Sequence, residues 1–139
     1  MRAFVNPAFA PSAVAVPSDE AFAFHRGLAG YVPSPLLLGN DFYLMTDSGL
    51  LSCLDAKTGE VRYDSERLPD PAKFTASPLA VAGHLLLTSE AGDTFVLRAG
   101  AKHEFERKNP IGEKVYASLA VADGHLFIRG ETNLFCIGQ

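Results

Sequence analysis

The chain has no tryptophan, two methionines and two cysteines, Cys53 and Cys136. Two cysteines cannot build the disulfide framework of a small secreted scaffold, and their wide separation rules out a Cys-x-x-Cys metal or redox pair. They leave the compartment undecided. Positive charge is also scarce, with 12 Lys and Arg against 16 Asp and Glu, a formal charge of −4. No basic field is available to condense on phosphate, so nucleic acid is not an expected partner. No apolar run approaches the roughly 18 residues that a membrane helix needs, so no transmembrane segment is expected. Residues 1–16 are interrupted by Pro7 and Pro11 and carry only Arg2 as a basic flank, which is not a secretory signal pattern. On this reading either the mature start lies elsewhere in a longer parent chain or the chain stays where it is made. What is present is 47% apolar and 20% charged, the composition of a domain able to bury a core.

That core is organised by repetition. The run Ser77-Pro-Leu-Ala-Val-Ala-Gly-His has an upstream copy, Ser34-Pro-Leu-Leu-Leu-Gly-Asn-Asp, and a downstream copy, Ser118-Leu-Ala-Val-Ala-Asp-Gly-His. The serines are 43 and 41 residues apart. A period near 40, built of short apolar runs separated by turn residues, belongs to the four-stranded blade of a β-propeller. The expected fold is therefore all-β, a partial propeller of about three four-stranded antiparallel blades. Residues 1–11 form a lead segment, 12–33 an outer half-blade and linker, 34–76 and 77–117 complete blades, and 118–139 an incomplete one.

Within a blade the first strand is expected at 35–38, 78–81 and 119–122, and the second at 42–45, 85–88 and 126–129. The third is expected at 50–54, 94–97 and 134–137, and the fourth at 60–65 and 103–108, with none in the last copy. The second strands are nearly all apolar, as strands covered on both faces should be. Asn40, Gly83 and Gly124 stand six residues after the blade serine, where a tight turn with positive φ is expected. Gly49, Gly92 and Asn133 mark the second hairpin turn. Phe24, Tyr63 and Phe105 are expected on fourth strands. The half-blade hairpin at 13–25 brings the expected total to 13 strands.

The run Leu54-Asp-Ala-Lys-Thr-Gly-Glu-Val-Arg-Tyr63 resembles the docking motif of the pyrroloquinoline-quinone-like propeller repeats. Such repeats are found in quinoprotein alcohol dehydrogenases and in outer-membrane assembly lipoproteins. Tyr63 stands where that pattern has a tryptophan packing between blades. The resemblance implies a structural docking role for Asp55, Thr58, Gly59 and Tyr63, and a periplasmic or extracellular setting, with the cytoplasm left open because no signal peptide is visible. A quinone dehydrogenase of this family would hold PQQ with calcium, an aspartate base and often a pair of adjacent cysteines. That constellation is not recognisable here, so no cofactor is expected, and PQQ with calcium stands as the alternative.

Three further sets of residues recur by position. Asp47, Glu90 and Glu131 fall thirteen residues after the blade serine and are expected on one face of the arc, where carboxylates hold a cation or a basic partner or simply solvate a turn. Tyr31, Phe74 and Tyr116 precede the inner strands, either ringing a channel mouth as a binding face or plugging space between blades. His84 and His125 share an offset but lack a third ligand, so no metal site is expected. The cysteines are expected to be small apolar core residues, and the blade serines to recur with the fold and not as nucleophiles, since no base is placed beside them. The function expected is a non-enzymatic scaffold that binds protein or ligand, either part of a larger ring or self-associating through open blade edges. The alternative is a fragment of a PQQ-dependent dehydrogenase.

Overall fold

The computed structural model describes residues 32–138. These residues form eleven strands in three antiparallel sheets. Sheet I holds β1 (Leu36–Leu38), β2 (Asp41–Met45), β3 (Leu50–Asp55) and β4 (Val61–Arg67) in sequential order. Sheet II repeats the pattern with β5 (Leu79–Val81), β6 (His84–Thr88), β7 (Asp93–Arg98) and β8 (Glu104–Pro110). Sheet III contains β9 (Ala120–Ala122), β10 (His125–Arg129) and β11 (Leu134–Ile137). The all-β, three-bladed partial propeller is thus the observed architecture. The hairpin expected at 13–25, including Phe24, lies outside the described residues.

Two cores lie between the sheets. Directly paired residues of an antiparallel sheet project to the same side, so each central strand divides its apolar residues between two neighbours. Leu85, Leu87, Phe95 and Leu97 of sheet II join Tyr43, Met45, Leu51 and Cys53 of sheet I. Leu86 and Val96 turn the other way and meet Val115, Leu119 and Ile128 of the third unit. This two-sided burial is why β6 and β7 are nearly continuous apolar runs.

The expected strands are displaced by small, consistent amounts. Each first strand begins one residue later than expected; in sheets I and II, Pro35 and Pro78 have no N–H to give and stand just before β1 and β5. Each second strand begins one residue earlier, because Asp41, His84 and His125 already pair across the turn with Leu38, Val81 and Ala122. In the first turns of sheets II and III both central residues have positive φ, Ala82 at 47° with Gly83 at 76° and Asp123 at 49° with Gly124 at 74°. Sheet I differs from the expectation: positive φ falls on Gly39, at 61°, and not on Asn40. A two-residue turn can take the second arrangement when glycine occupies its first position.

Tyr63 and Phe105 do sit on fourth strands, but at different rungs. Tyr63 pairs with Cys53, whereas Phe105 pairs with Leu97, the counterpart of Leu54. Different β-bulges between the third and fourth strands of sheets I and II account for the offset. Cys53 is fully buried, but Cys136 is exposed and departs from the expected core role, since its side of sheet III carries no further described sheet.

Candidate functional site

The repeating serines are blade-to-blade connectors. The Ser34 N–H donates to Ser77 Oγ at 2.9 Å, and the Ser77 N–H donates to Ser118 Oγ at 2.9 Å. A second series of bonds joins the loops that carry the recurring acids. Phe74 N–H donates to the Asp47 carbonyl at 2.9 Å, and Glu90 N–H to the Lys73 carbonyl at 2.8 Å. Val115 N–H then donates to the Glu90 carbonyl at 3.2 Å, and Glu131 N–H to the Lys114 carbonyl at 2.9 Å. The linker entering each blade is therefore stitched to the acidic loop before it and the acidic loop after it. Backbone groups in such positions must find partners, and these bonds run unbroken from Asp47 to Glu131.

Asp47, Glu90 and Glu131 accordingly share one loop face, but lysines stand between them. Lys73 and Lys114 each lie on the linker four residues before the blade serine, so the strip reads Asp47, Lys73, Glu90, Lys114, Glu131. Both lysines are exposed. Alternation replaces the purely acidic arc and lowers the local pull on a free cation. The lysines were visible in the repeat alignment, since their offset from the serine is identical in two copies. Among the described residues no three His, Cys, Asp or Glu side chains are grouped to hold a metal ion.

Two grooves indent this face between blades. One, of about 390 Å³, has Pro71, Ala72 and Ala91 as its apolar lining and Asp70, Lys73, Asp93, Lys114 and Tyr116 as polar lining. The other, of about 270 Å³, lies one blade earlier beside Asp47, Ser48 and Thr75. Glu90 borders both. Its carboxylate accepts a hydrogen bond from Thr75 Oγ1 at 2.5 Å, which fixes it at the shared wall. Tyr116 is exposed at the groove, whereas Phe74 is buried in the first core, 5.9 Å from the Phe95 ring, and contributes packing there. Tyr31 lies outside the described residues.

The outer rim is built differently. Asp55 Oδ1 accepts from Lys57 N–H at 2.9 Å and Thr58 N–H at 3.0 Å, and Thr58 Oγ1 accepts from Glu60 N–H at 3.2 Å. Gly59 completes the turn with φ of 72°. The donors Thr58 and Lys57, with Arg62 beside them, hold the Asp55 carboxyl at about 2. Arg62 bridges Asp55 at 2.8 Å and Asp41 at 3.1 Å. At the corresponding places in sheet II, His84 and Arg98 flank Glu106, each 3.1 Å from a carboxylate oxygen. His84 and His125 also turn Nδ1 to the carbonyls of their own turns, Ala82 and Asp123. These exposed groups serve the rim and are separate from the grooved face.

Tyr63 packs at the first core with its ring 5.7 Å from His103, edge to face. Its phenol is pushed upward by burial. Tyr63→Ala is expected to cost about 2 kcal/mol or more through lost aromatic packing, whereas Glu90→Ala removes one side-chain hydrogen bond worth roughly 1 kcal/mol. Urea midpoints check the order; equal midpoints would remove Tyr63 from the docking role.

Deeper in the same core, Tyr43 Oη accepts the Gly100 N–H at 2.7 Å, joining β2 to the far end of sheet II. Burial raises the Tyr43 phenol to about 12 and the Cys53 thiol to about 11. The folded state therefore retains protons that the unfolded chain releases. The associated stability is full below the ordinary values of 9.0 for the thiol and 10.0 for the phenol, and is lost as pH rises through about 11 and 12. Each shift corresponds to on the order of 2–3 kcal/mol. Denaturant midpoints are expected to hold near neutral pH and fall above about 9, with a shallower fall in Tyr43→Phe. A midpoint constant to pH 12 would contradict this.

No protein-family model matches the chain, and neither does any curated protein sequence. Solved structures do. BamB from Moraxella catarrhalis is similar at a TM-score of 0.58 and 18% identity, over 75% of this chain and 32% of that one. The quinohemoprotein alcohol dehydrogenase ADHIIG from Pseudomonas putida HK5 is similar at a TM-score of 0.52 and 16% identity, over 70% of this chain and 20% of that one. The computationally designed protein Ika4 has a TM-score of 0.52 at 10% identity, with 81% of this chain covering 95% of that one. The chain spans about a third of the BamB chain. At these identities the likeness establishes the fold, which resembles the quinoprotein-like propeller repeat.

Proposed function

We propose that this chain is a non-enzymatic propeller module whose grooved loop face binds an extended segment of a protein partner. The observation that carries the proposal is the stitched strip from Asp47 to Glu131, which holds alternating charges and two grooves at fixed blade spacing. An extended polypeptide presents polar groups along its length, and its side chains can enter grooves spaced along the arc. Apolar walls at Pro71, Ala72 and Ala91 offer desolvated contact, while Lys73 and Lys114 select for carboxylates beside it. The resemblance of residues 54–63 to repeats of assembly lipoproteins supports a scaffold role in a periplasmic or extracellular setting. The ring of which the arc is part is completed by further blades or by copies of the chain.

The test is a display library of extended peptides selected against the wild type and rescreened against Lys73→Glu/Lys114→Glu. Acid-bearing peptides that bind the wild type and lose at least about tenfold in affinity, roughly 1.4 kcal/mol, for the variant support the reading. Equal binding, or no selected peptide, overturns it. The alternative, a fragment of a quinone-dependent dehydrogenase, draws on the likeness to ADHIIG. Uptake of PQQ with calcium, read by quinone absorbance, would favour it over the scaffold.

A further inference from the structure

The connection from β7 to β8, residues 99–103, reaches across to sheet I at two places. Gly100 N–H donates to Tyr43 Oη at 2.7 Å, and the His103 ring meets the Tyr63 ring with 5.7 Å between centroids and 76° between planes. Ala99 packs against the first core from the same connection. Lys102 and Glu104, on either side of His103, are exposed, whereas the imidazole is half-buried. Its Nε2 is out of solvent and has no protein hydrogen-bond partner among the described residues. A polar atom placed in this way is costly to bury, and a charge on the same ring costs more.

The groups facing this contact from sheet I are Tyr63 and Glu66 of β4, with Cys53 of β3 and Tyr43 and Asp41 of β2 behind Tyr63. Burial raises the pKa of both phenols and of the thiol, so these three keep their protons through the neutral range. Asp41 is paired with Arg62. Burial acts on His103 in the opposite sense and draws it below its ordinary value of 6.5, against the Glu66 carboxylate and a hydrogen bond to its own backbone. Histidine is the side chain whose ordinary titration falls in that range. The second core, between sheets II and III, is built of aliphatic residues and Phe135, with no titratable side chain among its described members.

We propose that the β7–β8 connection is a proton-operated latch: with His103 neutral it holds sheet II on sheet I, and a proton on His103 loosens that junction while the junction of sheets II and III stays closed. The asymmetry follows from the two cores, since only the first has an imidazole at its margin. As pH falls, the unfolded chain takes up this proton first. The stability contributed by neutral His103 is therefore present above 6.5, is lost as pH falls toward the lowered folded value, and levels off below it. The latch acts within the arc and is independent of what the loop face binds.

Amide hydrogen exchange of the full chain between about pH 7.5 and 5 tests the proposal, read as protection so that the chemical pH dependence of exchange is removed. Gly100 N–H, bound to Tyr43 Oη, reports on the latch, and Val115 N–H, bound to the Glu90 carbonyl at 3.2 Å, reports on the other junction. Protection at Gly100 is expected to fall by at least about threefold toward acid pH while protection at Val115 holds. In His103→Gln, which cannot take up the proton, the fall at Gly100 is expected to disappear. The imidazole NMR signals of His103 in the wild type are expected to titrate with a midpoint below 6.5, a reading that needs no variant. A midpoint at or above 6.5 overturns the proposal. So does constant protection at Gly100, an equal loss at both amides, or a loss that persists in His103→Gln.

Discussion

Gly92→Ala is expected to lower stability by about 3 kcal/mol or more, enough to abolish the cooperative transition in a marginal domain. Gly92 has φ of 89°, and a Cβ there would overlap the carbonyl oxygen of Glu113, with Ile111 Cγ1 at 3.3 Å. The obstacle is backbone on the strand-to-linker path of the next unit, where no side chain can swing aside. Gly92 N–H and C=O are also committed, to the Ser89 carbonyl at 2.9 Å and from Ile111 N–H at 3.1 Å. Gly59→Ala is the control, because Gly59 has a similar φ of 72° but open space around its missing Cβ. Its cost is expected to be only the positive-φ penalty, about 1 kcal/mol. The difference between the two midpoints therefore measures close approach at the blade junction. Equal losses would place the effect in the turn alone.

Phe95→Ala is expected to be comparably severe, at about 3–5 kcal/mol. Its side chain is fully buried, 5.9 Å from Phe74 and 6.3 Å from Phe105 between ring centroids, and it touches both sides of the first core. Truncation would leave a cavity walled by two sheets that are tied together by the serine and loop bonds and cannot collapse freely. Phe105→Ala removes a ring from the same cluster at 39% exposure, where water can fill the space, and is expected to cost less than half as much. Thermal or urea unfolding of the two variants checks this. If Phe105→Ala matched Phe95→Ala, the weight of the core would lie at the rim.

These effects converge on the junctions, and the sequence reported the junctions only in part. Recurrence of serine, of the turn glycines and of the acids announced the blades, because one backbone path repeated three times demands the same small set of residue types. The apolar second and third strands followed from burial on two sides. The starts of the first and second strands were misplaced by one residue, since cross-turn pairs and, in two sheets, proline set them, and both depend on pairing partners. Phe105 was aligned with Tyr63 by distance from the next serine, an alignment invalidated by the different bulges between third and fourth strands in sheets I and II. Phe74 by sequence either rings a channel mouth or plugs space between blades; its ring turns into the core because Gly49 leaves room for it, the ring lying 2.8 Å from where a Cβ would stand.

By itself, then, the sequence determined the class, the period, the strands and the turn chemistry, since these depend on local φ preference and on which residues can be buried twice. The tertiary structure alone decided that the blade serines are connectors and that the linkers are stitched between successive acidic loops. Each of those is a relation between residues distant along the chain, and it exists only once hydrogen bonds across the blades bring them to the same place.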